Sequence, residues 1–191
     1  STPEPAEATS RGVAMVGQVV DAVFQDQPLR RGNTLAPGMI QLKEGLAQIE
    51  FFSGATAIID GSTELEVLSA WEARCHRGRI RVHVPPAAKG FTLHTPDMKL
   101  EDLGTEFALN VQGQTSAVKV FEGEVIAHQA DVPTSLTTGM TLGSSAGDFL
   151  PVSDLHELVK ERQTRRMTEW QEWSQQTMHN PKLITYYTFK H

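Results

Sequence analysis

The residues best suited to chemistry are histidines and carboxylates, and their spacing predicts no catalytic site. None of the seven histidines lies in an H-E-x-x-H motif, and no cysteine–histidine pair has the spacing of a zinc site. Glu64 with Glu66, and Glu122 with Glu124, each share one strand face, whereas a glycosidase needs two acids at a set separation in a cleft. No G-x-S-x-G or phosphate-binding glycine motif is present. The sequence therefore favours a non-catalytic protein without a metal or cofactor site.

Cys75 is the only cysteine in 191 residues, which excludes an internal disulfide. We expect it to be a small buried apolar side chain, and the alternative is a reactive or intermolecular thiol.

Composition limits the partners. The chain has 17 basic and 23 acidic residues and a formal net charge of −6. It lacks the cationic surface that general nucleic-acid binding requires, so we predict no nucleic-acid partner. No run of about 18 apolar residues is present that could span a membrane.

One predicted strand carries a strong charge pattern. Its basic residues share one parity and therefore one face: Arg77, Arg79, Arg81 and His83. They can pair with acids on a neighbouring strand, such as the one that bears Glu64 and Glu66. The alternative is a basic ribbon that binds an anionic partner or a glycan. Arg79, Arg81 and His83 are therefore the candidate partner-binding residues.

Alternating apolar residues predict short β-strands from Met39 to about Leu142. The apolar positions are Ala47, Ile49 and Phe51; Leu65 and Val67; Ile80, Val82 and Val84; and Phe107, Leu109 and Val111. The residues between them, including Ala108 and Asn110, are expected on a solvent-facing side. Glycines separate the runs, and no helical period of useful length precedes residue 150. This pattern predicts an all-β domain over residues 13–145.

The remaining segments flank that domain. Residues 1–12 read as a disordered tether, because they lack an apolar period. A connector helix is predicted over residues 151–179, with a capping box at Asp154 and Glu157 and a stop at Asn180-Pro181. Residues 183–191 are β-prone, so they either open a truncated second domain or add a strand to the β domain.

One side of the predicted helix carries an apolar stripe. The stripe consists of Leu155, Val159, Trp170 and Trp173. We expect both tryptophans to be buried, because they lie on the side that would dock.

The run FTLHTPDMKLEDLGTEFALNV, residues 91–111, resembles the FecR domain family. It resembles that family's F-x-V-x-T-P segment followed by L-G-T-x-F-x-V. The matching positions are Phe91, Thr95, Pro96, Leu103, Gly104, Thr105, Phe107 and Val111. The segment 118–125 is similar to the family's V-x-V-x-E-G-x-V corner, which includes Glu122 and Gly123, and 77–84 and 136–142 resemble the flanking strands. We interpret these residues as framework that identifies a fold and does not mark a binding surface.

The resemblance implies an irregular β-solenoid or roll of short strands, with a jelly-roll sandwich as the second choice. It implies a periplasmic sensor domain, tethered to the inner membrane by an upstream segment. Such a domain receives a signal from a protein partner in the envelope, such as the signalling domain of a transducer, and passes it to an anti-sigma factor regulator.

Two further expectations concern the C-terminal part and a possible glycan. The helix and the segment PKLITYYTF resemble the variant in which a concanavalin-like (LamG) domain follows the FecR domain. The alternative function is a carbohydrate-binding surface module with Trp71, Trp170 or Trp173 as its stacking platform.

Overall fold

The computed structural model describes residues 11–130, 132–143, 149–150, 164 and 167–175. The chain divides into two compact units, Ser1–Ser153 and Asp154–His191. The described strands of the first unit are β1 (Ala14–Phe24), β2 (Thr34–Leu35), β3 (Gly38–Phe51), β4 (Thr56–Asp60), β5 (Thr63–Val67), β6 (Glu72–His83), β7 (Thr92–His94), β8 (Lys99–Asp102), β9 (Glu106–Gln112), β10 (Thr115–Glu122), β11 (Glu124–Gln129), β12 (Val132–Thr137) and β13 (Thr141–Gly143). A single 3-10 turn, Pro86–Ala88, precedes β7. The prediction of an all-β domain is confirmed.

The alternating residues build one apolar core. Every apolar position named above in β3, β5, β6 and β9 is buried, and so is Val84 directly after β6. Phe51 and Phe91 meet near the centre with ring centroids 4.7 Å apart and an edge-to-face geometry. Burying each large side chain contributes about 1.5–3 kcal/mol, so this core is the main source of stability.

Four strands close into a small barrel. The first half of β3 pairs with β5 and its second half pairs with β4. β6 repeats this arrangement, because its first half pairs with β5 and its second half with β4. These pairings confirm neither the solenoid or roll nor the jelly-roll sandwich.

The other strands extend from the barrel. β1 pairs with β3 and carries β2. β9 pairs with the second half of β6 and with β10, and β10 pairs with β13. β7 pairs in parallel with the first half of β6. On its other side β7 pairs with β8, which pairs with β11, and β11 pairs with β12. β6 therefore contacts four strands.

A bulge in β6 makes these four pairings possible. Glu64 lies opposite Arg77 but Leu65 lies opposite Cys75, so β6 holds one extra residue there. The buried positions change parity across it, from Ala73 and Cys75 to Ile80 and Val82. The apolar side chains of β6 can thus point into the core on both sides of the bulge.

In the second unit, Thr164 and residues 167–175 are helical. The rest of the predicted helix and residues 183–191 lie outside the described residues. Trp170 and Trp173 are 66% and 63% exposed, so the prediction that they are buried is wrong. Met167 in the same helix is also exposed. No helix in the described part of the chain is long and apolar enough to cross a membrane.

Replacing Gly78 with alanine tests the bulge. Gly78 has a φ of +111°, and a Cβ there would lie 2.2 Å from Thr63 Oγ1 and 2.6 Å from Thr63 Cα. We predict that Gly78→Ala lowers the free energy of unfolding by about 3 kcal/mol, measured by urea denaturation. Gly90→Ala is the matched control: its φ is +93° but nothing lies within 4 Å, so about 1 kcal/mol is expected. Equal losses in the two variants would contradict the steric role of Gly78.

Candidate functional site

The basic residues of β6 form ion pairs with three different strands. Arg77 pairs with Glu64 of β5 at 3.2 Å, which confirms the predicted cross-strand pairing. Arg79 pairs with Asp60 at the end of β4. His83 is exposed at the end of β6 and lies opposite Glu106 in register. Arg77 and His83 thus remain largely in contact with solvent, and Arg79 does so in part.

Arg81 occupies a different environment, because its side chain is only 8% exposed. Its Nε and Nη2 donate to one oxygen of Glu106 at 2.8 and 2.6 Å. The guanidinium lies 3.5 Å from the centre of the Phe121 ring. Nη1 also donates to the carbonyl oxygen of Leu150 at 3.3 Å. Arg81 therefore holds Leu150 by a hydrogen bond, and its cation is not presented to solvent.

Two residues of β9 differ from expectation, and this cover explains one of them. Ala108 and Asn110 were expected on a solvent-facing side, and both are buried. Ala108 lies opposite Arg81 in register. Arg81 is itself covered by Phe121 and the buried Leu150, so strand alternation does not expose Ala108 beside it. Asn110 lies between Arg79 of β6 and Ala117 of β10 in register.

The T-P motif residues anchor one corner. Thr95 Oγ1 accepts a hydrogen bond from the Met98 amide at 3.1 Å. One Asp97 carboxylate oxygen accepts from the Ser116 amide at 3.2 Å, and the other accepts from the Ser116 hydroxyl. The network joins the turn between β7 and β8 to the start of β10. Pro96 is exposed, and Thr95 and Ser116 are buried.

The L-G-T and E-G motifs meet at a second corner. Asp102, 1% exposed, accepts from the Gly104 amide and from the Thr105 hydroxyl. A Cβ on Gly123 would lie 2.5 Å from the Gly104 carbonyl oxygen, so only glycine allows the two corners to approach. The motif residues at this corner thus act in packing and turn geometry.

Cys75 is fully buried, and burial raises the pKa of its thiol to about 12. It is a core residue in this fold. Within the described residues, no three histidine, cysteine or acidic side chains are grouped so that they could hold a metal ion.

Charged and titratable side chains lie together on the outer side of five neighbouring strands, β5, β6, β7, β8 and β11. We call this surface the histidine face. Its charged and titratable residues are Glu64, Glu66, Glu72, Arg74, His76, Arg77, His94, Lys99, Glu101, Glu124 and His128.

Each histidine of this face lies against a glutamate. His76 Nε2 is 2.9 Å from Glu66, and His94 Nε2 is 2.6 Å from Glu72. His128 Nε2 is 3.9 Å from Glu101. The hydrogen bond with His76, aided by Arg74 and opposed by partial burial, holds the pKa of Glu66 below its ordinary value.

Sequence reasoning missed these pairs because the histidine and the glutamate of each pair lie on different strands. A signal was present in the alternation: each of the three histidines directly follows a buried residue of its strand, which is Cys75, Leu93 or Ala127. Which glutamate lies beside each one depends on register, which the sequence does not reveal.

Comparison with known proteins identifies the domain. The family described as FecR protein matches residues 42–126. Residues 42–126 form a FecR domain. The match covers β4 to β10 with parts of β3 and β11, and so includes the bulged strand and both motif corners of the FecR domain.

Solved structures show a more distant likeness. Two crystal structures of a "putative anti-sigma factor" from Parabacteroides distasonis, at 1.65 and 2.50 Å resolution, align with 15% sequence identity and a TM-score of 0.48. The alignment covers 56% of this chain and 59% of that one, so the chain spans less than two thirds of that relative. No curated protein matches the chain.

Removing the Arg81 cation should be costly. We predict that Arg81→Met lowers the free energy of unfolding by about 2–4 kcal/mol, because it leaves the Glu106 carboxylate without its partner. Arg77→Met, at a 58% exposed side chain on the same strand, should cost no more than about 0.5 kcal/mol. Adding Glu106→Gln to Arg81→Met should recover part of the loss in a urea-denaturation cycle. A loss equal to that of Arg77→Met would show that the buried pair contributes nothing.

Asp102 should make stability depend on pH. Burial raises its pKa to about 6, although hydrogen bonds from the Gly104 and Thr105 backbone lower it. The pKa of an unfolded aspartate is about 3.9, so the folded state holds the proton more tightly. This stabilisation is fully present below about pH 4 and is lost as the pH rises through about 6.

We therefore predict that Asp102→Asn gains about 2–3 kcal/mol of stability relative to the wild type between pH 4 and pH 7.5. Urea denaturation at both pH values measures the change. Asp26→Asn, in an exposed loop, is the control and should show no such gain. A difference between wild type and Asp102→Asn that stays constant with pH would rule out titration of this carboxyl group.

Proposed function

We propose that this chain contains an extracytoplasmic, non-catalytic sensor domain that binds a protein partner in the cell envelope and signals to a sigma-factor regulator. The FecR match over residues 42–126 supports this proposal, because FecR domains are regulatory and generally extracytoplasmic. The full-length protein would be held at the inner membrane by a segment upstream. A LamG-type domain would follow the second unit.

One structural observation supports a binding role most directly. The residues of the family motif serve the two corners and the core, whereas the histidine face carries eleven charged or titratable side chains on the outer side of the sheet. Such a surface forms no part of the core, so its charges can set partner choice and association rate. Arg79 and His83 lie beyond the bulge on the same strand and could extend it. Arg81 would act only by holding the segment at Leu150.

A genetic test can separate signalling from fold. In the full-length protein, Glu66→Lys with Glu72→Lys reverses charge on the histidine face. We expect this variant to change transcription of the genes that the associated sigma factor controls by at least about threefold, with unchanged protein level. Glu44→Lys is the matched control, because Glu44 is exposed on β3 outside that face. Unchanged transcription in both this variant and a strain that lacks the gene would contradict the proposed function.

A carbohydrate-binding role is the second candidate, and Trp71 favours it. Its side chain is 46% exposed beside Glu72, which is paired with His94, and its carbonyl oxygen accepts from the Thr92 amide at 2.9 Å. An exposed ring with polar neighbours is the arrangement that sugars stack on. Trp71→Ala should then abolish retention on envelope polysaccharide, while Phe52→Ala, at another exposed ring, should not. Equal retention of both variants would exclude this role for Trp71.

A further inference from the structure

Five side chains of the histidine face form a row across five strands. In register, Glu66 of β5 lies beside Arg74 of β6, followed by His94 of β7, Lys99 of β8 and His128 of β11. Neighbouring strands lie about 4.8 Å apart, so the last four members span roughly 14 Å. Two of these four are permanent cations, and the other two are histidines.

The positive charge of the row therefore increases when the histidines take up protons. Histidine is the side chain whose ordinary titration falls between pH 5 and 8. With neutral rings, Arg74 and Lys99 are separated cations. With protonated rings, Arg74, His94, Lys99 and His128 form four adjacent cations.

The neighbouring charges determine the net effect. Glu72 pairs with His94, and Glu101 pairs with His128. Glu66 pairs with both His76 and Arg74. Lys99 is opposite both His94 and His128. Asp102 on β8 points into the core and does not reach this surface.

The formal charge of the whole face reverses. Its residues include five glutamates against two arginines and one lysine, which gives −2 when the three histidines are neutral. Protonation of His76, His94 and His128 brings it to +1. Exposed charges act over about 8–10 Å at physiological ionic strength, so a partner on this face senses the local value rather than the net −6 of the chain.

We propose that the histidine face is a proton-controlled docking surface, which binds an acidic patch of a partner protein when its histidines are protonated and releases it when they are neutral. This inference rests on the proposed role as a protein-interaction domain and adds its regulation. A compact acidic patch fits a row of roughly 14 Å. A long polyanion such as a nucleic acid would extend past the row, where the negative chain opposes it.

A short acidic peptide probes the face without a cellular partner. Binding of hexa-aspartate to the 191-residue chain is measured by NMR titration at pH 5.5 and 7.5 and equal ionic strength, with the histidine ring resonances as a direct readout. We expect the peptide to bind about tenfold more tightly at pH 5.5 and to shift the resonances of β7, β8 and β11.

Variants identify the side chains responsible. The triple variant His76→Gln, His94→Gln, His128→Gln should lose the gain at pH 5.5, and His83→Gln should keep it. If the triple variant does not fold, Lys99→Glu in the centre of the row should reduce the gain instead, with the urea midpoint as the check on folding.

Three results would overturn the proposal: no gain in the wild type, a full gain in the triple variant or in folded Lys99→Glu, or tighter binding of the oligonucleotide dT6 than of hexa-aspartate. Because the assay contains no sigma-factor regulator, it can fail while the transcription test succeeds, and the reverse also holds.

Discussion

The whole β domain depends on β6 remaining one hydrogen-bonded strand through the bulge before Gly78. On one side of the bulge the strand pairs with β5 and β7, and on the other with β4 and β9. A regular strand could not do this, because its apolar residues would leave the core at the bend. The extra residue corrects the parity, so Cys75 and Ile80 both face inward.

The same bulge shapes the surface. Because parity changes there, His76 and Arg77 both point outward, and basic residues line the outer side along the full length of β6. Before the bulge they face solvent among the glutamates of β5 and the histidines of β7 and β11. Beyond it, Arg81 is covered and serves to hold the chain near Leu150. One strand thus supplies both an exposed charged surface and a side chain that holds Leu150.

Local patterns in the sequence revealed much of this domain. Alternation gave the buried positions of β3, β5, β6 and β9, and the glycine-bearing motifs led to the FecR family. The closure of the barrel could not be derived, because it depends on which halves of β3 and β6 share a partner. The burial of Ala108 was missed, since the residues that cover it are distant in sequence. The exposure of Trp170 and Trp173 was missed because an apolar stripe does not state what, if anything, covers it. The histidine–glutamate pairs depend on register between strands, which periodicity does not specify.

Native-state hydrogen exchange along β6 tests the central role of this strand most directly. If both halves belong to one cooperative unit, the amides of Cys75 and of Ile80 and Val82 should exchange only through global unfolding, with opening free energies within about 0.5 kcal/mol of each other. If the first half opens with a free energy lower by about 2 kcal/mol or more, the bulge is a break between two independent parts, and β6 does not hold the domain together.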